Sequence, residues 1–224
     1  MPAPSASTRV APAAPPRWRR LLLCEVPVRR ALYILGAVPG LWTFYLGATD
    51  QLGADPVATF ERELGEWGLR FLILGLAITP LRKLGGPSLI RYRRAVGLLA
   101  FYYALAHLAV YLTFDRQLDF ASIWGDIIKR PYITVGMISF AILVPLAVTS
   151  NNAAIRRLGA GAWQRLHAWV YLAAALAALH FILLSKVWVG EPLVYAGLVA
   201  VLLGFRGIET MGKRLGLAPA RRSR

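Results

Sequence analysis

The sequence predicts an all-α protein, a polytopic membrane bundle of six transmembrane helices with both termini in the cytoplasm. Three observations carry that reading. Apolar residues make up 57% of the 224 residues and mean hydropathy is +0.53, whereas soluble domains run at roughly 45–50% apolar. The excess lies in blocks near the length that crosses a bilayer, about 20 residues. Finally, 20 of the 26 basic residues fall on one side of the resulting topology and nine of the eleven acids on the other.

The first helix, about 31–49, carries Pro39-Gly40 near its middle, which predicts a kink. The second crosses over about 67–82. Its start is set back at Asp55-Pro56, a capping residue followed by proline at the first helical position. The amphipathic turn FERELGEW leads into lipid, and Thr79-Pro80 marks the exit. The third covers about 94–114. The fourth, 131–149, opens at Pro131 after Lys129-Arg130 and carries Pro145 near its end. The fifth and sixth run over about 162–184 and 191–209. Trp67, Trp163 and Trp188 fall at span ends, where aromatic belts form.

Domain organisation follows: a disordered basic tail over 1–30, a six-helix domain over 31–210, and a basic tail over 211–224. Residues 1–16 are rich in Ala, Pro and Ser, a composition that does not fold. LLLCEVPV is too short for the apolar core of a secretory signal. The net charge of +15 does not imply nucleic acid, because it is partitioned by side. The N-terminal tail, the second-to-third and fourth-to-fifth connections and the C-terminal end hold six, five, three and six basic residues. By the positive-inside rule these are cytoplasmic, with some attraction to anionic lipid headgroups. A lone Cys24 excludes an internal disulfide framework and a thiolate-ligated cluster.

The three histidines carry the chemistry. His107, His167 and His180 all lie in or at the edge of apolar runs, FYYALAHLAVYLTF and RLHAWVYLAAALAALHFILL. An ionisable group inside a membrane is costly and marks a function by default, and imidazole is the commonest side-chain metal ligand. The third and fifth helices run in the same direction. His107 lies 13 residues beyond Arg94 and His180 17 beyond Trp163, so both sit roughly 20–25 Å into the membrane. Matching depth suits a haem clamped between two axial imidazoles. Ala100 and Ala104 precede His107, and Ala173 and Ala177 precede His180, by seven and three residues. Each histidine face therefore carries a small-residue strip, which leaves room for a porphyrin or simply lets helices pack closely. The other reading of any single buried histidine is a helix–helix hydrogen bond.

His167 lies 13 residues before His180, about 20 Å away and rotated by about 220° in an ideal helix. The matching positions before His107 are Arg93 and Arg94, and arginine has no lone pair for iron. A second haem at His167 therefore lacks an ordinary partner ligand. The alternatives are a hydrogen bond to a quinol, or an arginine facing a haem propionate. Arg93, Arg94 and Arg165 read most simply as interface anchors.

The segments ITPLR (78–82), RRAVGLLAFYYALAHLAVY (93–111), KRPYITVGM (129–137), PLAVTS (145–150) and WQRLHAWVYLAAALAALHF (163–181) resemble one family. They are similar to the haem-binding membrane subunits of bacterial periplasmic protein-methionine-sulfoxide reductase systems, within the ferric-reductase-like transmembrane group. The resemblance spans roughly residues 31–215. It implies that His107 and His180 are axial ligands of a b haem and that His167 is a second cofactor-binding histidine. It implies a non-catalytic electron-transfer subunit of the inner membrane that relays electrons from the quinone pool, or a flavin. The acceptor it implies is a periplasmic molybdopterin-containing methionine-sulfoxide reductase, the partner in a heterodimer that repairs oxidised proteins. FMN is implied too, with no motif here that locates it. Compared with two-haem ferric reductases, the chain lacks a fourth histidine and an FAD/NADPH domain. The acidic loops 50–66 and 115–126 are the expected docking surface. Two other readings are a six-helix transporter or lipid-handling protein with proton-coupling histidines, and a stand-alone metal or quinone reductase. Against the transporter stand the absence of an inverted repeat and of a carboxylate inside a helix.

Overall fold

The structure, a computed structural model, describes residues 25–185 and 190–215. The tail over 1–24, Cys24, Trp188 and residues 216–224 lie outside the described residues. Six helical segments are long and apolar enough to cross a membrane: Val28–Ala48, Pro56–Lys83, Ile90–Asp115, Pro131–Val148, Ala160–Leu184 and Glu191–Gly212. No strand occurs among the described residues.

The helices are α1 (Glu25–Ala48), α2 (Pro56–Lys83), α3 (Arg93–Val110), α4 (Phe120–Lys129), α5 (Pro131–Val148), α6 (Asn152–Leu158), α7 (Ala160–His167), α8 (Val170–Leu184) and α9 (Glu191–Arg214). Helix α1 starts six residues earlier than expected, so Glu25–Arg30 belong to a helix rather than to a tail. Helix α9 likewise continues to Arg214. Helix α2 begins where the proline and its cap placed it, with the Asp55 carboxylate accepting from the Ala58 N–H at 3.0 Å.

Pro39 lies inside α1. One residue on, the Tyr103 hydroxyl donates to the Gly36 carbonyl at 2.7 Å and accepts from the Gly40 N–H at 2.9 Å. Gly36 and Gly40 are the pair that an unbroken helix joins directly. A side chain inserted there is a physical cause of bending, and it ties α1 to α3.

Two features were not expected. The fifth span is broken at Ala168–Trp169, where Trp169 N–H bonds Leu166 and Tyr171 N–H bonds Ala168, both at 3.1 Å and both three residues back. Also, the loop after the third span folds into α4, capped by Asp119. The third span itself ends in a π turn, Tyr111–Asp115.

Helix α2 is the hub, packing on α1, α3, α8 and α9, while α5 packs on α3, α4 and α8. The core joins Leu64, Phe71 and Leu72 of α2 to Val96, Leu99 and Ala100 of α3, with Leu143 of α5 and Ala173 of α8. The α2/α3 and α5/α8 pairs are the most extensive packings. Helices α3 and α8, which carry His107 and His180, face each other across the space between those pairs.

Helix α4 is held by a buried carboxylate. Asp126 accepts from the Tyr111 hydroxyl at 3.0 Å and pairs with Arg116 at 2.8 Å and Arg130 at 3.0 Å. Asp126→Ala should remove the carboxylate that joins Arg116, Arg130 and the Tyr111 hydroxyl, leaving Arg116 with Asp115 and Arg130 with the Tyr132 hydroxyl, and cost about 1–3 kcal/mol. The expected result is a lower thermal unfolding midpoint in detergent, measured against Asp119→Ala, which removes only an exposed cap. Equal midpoints would show that α4 is held otherwise.

Candidate cofactor site between two histidines

His107 reaches across to α2. Its Nδ1 lies 2.8 Å from the Glu61 carbonyl oxygen. His180 reaches across to α5, with Nδ1 2.6 Å from the Tyr132 carbonyl. A carbonyl oxygen only accepts, so each Nδ1 must carry the proton. Each Nε2 is left with its lone pair, the form in which imidazole binds a metal. Bonding the second ring nitrogen to a carbonyl also orients the ring and raises its basicity.

The room for each ring comes from a glycine four residues after the accepting carbonyl. A Cβ at Gly65 would lie 3.1 Å from His107 Nδ1, and one at Gly136 would lie 2.8 Å from His180 Nδ1. The two half-sites are therefore built alike. In each, one helix supplies a carbonyl and a glycine one turn later, and the packed partner helix supplies the histidine.

The two ring centres are 6.2 Å apart and their planes are inclined at 76°. A metal–imidazole bond is about 2 Å and the ring centre lies about 1 Å behind the nitrogen, so two rings on one metal have centres about 6 Å apart. No group of three His, Cys, Asp or Glu side chains spaced to hold a metal occurs among the described residues. The Glu61 carboxylate, 3.9 Å from His107 Nε2, is beyond hydrogen-bond range. Two nitrogen donors alone leave a bare metal ion short of ligands. They suit a metal that brings its own equatorial donors, as a porphyrin does.

The cavity fits that reading. It measures about 370 Å³, within the range of cofactor pockets, about 300–1,000 Å³. Ala100, Ala104 and Ala177 line it beside the two histidines. Ala173 does not line it. That residue is fully buried and its carbonyl accepts from Ser139 at 2.8 Å, so it serves close packing of α5 on α8. The strips thus do both jobs, one residue at a time. Arg62, Arg116 and Arg130 line the cavity toward α4.

His167 stands apart from this pair. Its ring stacks on Trp163 at 3.9 Å, and Nε2 lies 3.0 Å from the Thr149 hydroxyl. That hydroxyl donates its one proton to the Pro145 carbonyl at 2.6 Å, so Nε2 must be the donor to Thr149. Nδ1 is then the free acceptor, the reverse of the other two rings. Nearby, Arg94 bonds Asn152 at 2.9 Å, tying the start of α3 to α6.

Several expected acidic surface residues turn inward. Glu66 pairs with Arg70 at 2.7 Å, Asp126 is buried under α4, and Glu61 lines the cavity. Glu66 and Arg70 lie within the second span, so a carboxylate does occur inside a helix, neutralised by its neighbour. Asp50, Asp55, Asp115 and Asp119 remain exposed.

Comparison with known proteins agrees with this architecture. The model of the family described as "Ferric reductase like transmembrane component" matches residues 64–178, a stretch that contains His107 and His167 and ends two residues before His180. The chain belongs to the ferric-reductase-like transmembrane family. It is also 59% identical over 175 residues to proteins named protein-methionine-sulfoxide reductase heme-binding subunit MsrQ, from Brucella ovis, Brucella canis and Brucella suis. The match covers 78% of this chain and 79% of each relative. It is a multi-pass protein of the bacterial inner membrane.

The carbonyls of Glu61 and Tyr132 and the glycines at 65 and 136 had no place in the sequence reading. A backbone acceptor leaves no mark in the side-chain pattern. The one signal available was a glycine within each helix adjacent to a histidine-bearing one.

Proposed function

We propose that the chain is the membrane electron-transfer subunit of a methionine-sulfoxide reductase system, a b-type cytochrome with both termini cytoplasmic. It takes electrons from quinol, or from a flavin such as FMN, and passes them to a periplasmic molybdopterin-containing reductase that repairs oxidised protein methionines. The observation that carries this reading is the pair of histidine rings lining one cavity with centres 6.2 Å apart, each with Nδ1 on a backbone carbonyl and its Nε2 lone pair left for a ligand. The names of the relatives support haem and the methionine-sulfoxide reductase system. A b haem bound there supplies a one-electron iron couple.

The chain's own residues do the rest. His107 and His180 would hold the haem iron through Nε2, their Nδ1 protons being held on the Glu61 and Tyr132 carbonyls. Leu69, Leu72, Leu143 and Phe140 exclude water from the cavity. In this reading His167 belongs to the donor side, where its free Nδ1 accepts a hydrogen bond from a quinol hydroxyl. Losing one hydrogen bond worth about 1.4 kcal/mol slows a step about tenfold. His167→Ala is accordingly expected to keep the haem of the His107/His180 pair and to be reduced about tenfold more slowly by a quinol analogue. Unchanged stopped-flow rates would remove His167 from the donor site.

The function is tested by reoxidation. Reduced purified chain should be reoxidised by the periplasmic reductase together with methionine sulfoxide, and by neither alone. Equal reoxidation by soluble acceptors without the partner would support a stand-alone metal or quinone reductase instead.

A further inference from the structure

Helix α4 joins the end of the third span, Asp115, to the start of the fourth, Pro131. Counting spans puts it on the side opposite the N-terminus, at the boundary of the apolar layer. Its ten residues present three distinct sides. One packs on the bundle through Ile123 and Asp126, both 8% exposed. A second carries Ser122, Gly125 and Lys129. The third carries Phe120, Trp124 and Ile128, spaced by four, with 75%, 66% and 67% of their surface uncovered. Leu118 and Phe114 beside it are also exposed.

We infer that α4 is a membrane-surface helix, whose Phe120/Trp124/Ile128 stripe beds in the headgroup–acyl boundary of the leaflet away from the termini. Three features favour lipid as the occupant over a protein. The stripe, 66–75% exposed, is about as bare as the outward faces of the spans, such as Ile34 at 67% and Val201 at 70%, so it matches the lipid-facing surface of the bundle. Tryptophan is the side chain most at home at that depth. An apolar stripe next to a polar edge bearing Lys129 is the pattern of helices that lie in the interface plane.

The placement has a consequence for the cavity. Asp126 of α4 holds Arg116 and Arg130, and both arginines line the cavity beside His107 and His180. Lipid seated under α4 therefore fixes the outer wall of the site. The inference needs only the fold and stands whether or not the cavity holds a haem.

The test is site-directed spin labelling in phospholipid vesicles holding the full chain and no partner. Cys24→Ser supplies the background, and single cysteines replace Phe120, Trp124 and Ile128. Ile34→Cys on α1 is the lipid-facing reference and Ala54→Cys, in an exposed loop, the aqueous one. Circular dichroism and monodispersity confirm that each labelled chain is folded. Labels on the stripe should collide with oxygen in preference to a water-soluble nickel chelate, with a ratio near that of Ile34→Cys. A ratio like that of Ala54→Cys would overturn the inference. So would an aqueous ratio combined with loss of collisions with both reagents when the periplasmic reductase is added, which would assign the stripe to that protein.

Discussion

His107→Ala and His180→Ala chains, purified from haem-replete cells, are each expected to retain less than about a tenth of the normal haem per polypeptide, because one imidazole alone cannot hold both axial positions. The reading is the pyridine haemochrome assay, supported by the reduced-minus-oxidised spectrum. The rings share one cavity and neither has a substitute: the third histidine, His167, lies outside that cavity's lining and offers its proton rather than its lone pair at Nε2. His180→Met separates ligation from folding. A thioether restores an iron ligand and raises the potential, so this variant should recover haem with a positive shift. Full haem content in either alanine variant would refute the assignment of that histidine.

The second large effect is expected from a methyl group. Within a helix, Gly→Ala ordinarily stabilises by about 1 kcal/mol. At Gly136 the new Cβ would stand 2.8 Å from His180 Nδ1 and 3.0 Å from Cε1, so the ring must leave its bond to the Tyr132 carbonyl. Losing that acceptor lowers the basicity of the ligand, and such partners are worth roughly 10–100-fold in metal affinity. Gly136→Ala is therefore expected to lose haem about tenfold faster to apomyoglobin. The haem that remains should titrate at a higher midpoint potential, since a weaker donor favours ferrous iron. Gly65→Ala should act in the same direction but less, with 3.1 Å of clearance. Gly97→Ala on α3, where a Cβ meets nothing within 4 Å, is the control. Identical haem loss and potential in Gly136→Ala and Gly97→Ala would show that the carbonyl bond does not position the ring.

The six spans and the meeting of His107 with His180 were legible because both depend on one-dimensional quantities. Span length is a count of apolar residues, and depth is a count from the end of a helix. Two parallel helices with histidines at equal depth need only be close for the rings to meet. What was not legible depends on rotation and on neighbours. FASIWGDIIK is too short for a span and sits among acids, so it read as loop; its helix exists because Asp126 finds Arg116, Arg130 and Tyr111. Glu61 and Glu66 looked like surface charge, but α2 enters the bundle a full two turns before the apolar block begins, carrying them inside. The break at Ala168–Trp169 has no proline or glycine to announce it. The tautomer of His167 follows from a proline four residues before Thr149, whose carbonyl takes the hydroxyl proton.

The central claim is that two imidazoles, from α3 and α8, complete the coordination of one iron. Low-temperature electron paramagnetic resonance of the oxidised, unmodified chain tests it most directly. With ring planes inclined at 76°, the account predicts a strongly anisotropic low-spin ferric signal of the kind given by near-perpendicular imidazoles. A purely high-spin ferric signal, or an intact folded chain without iron, would contradict it.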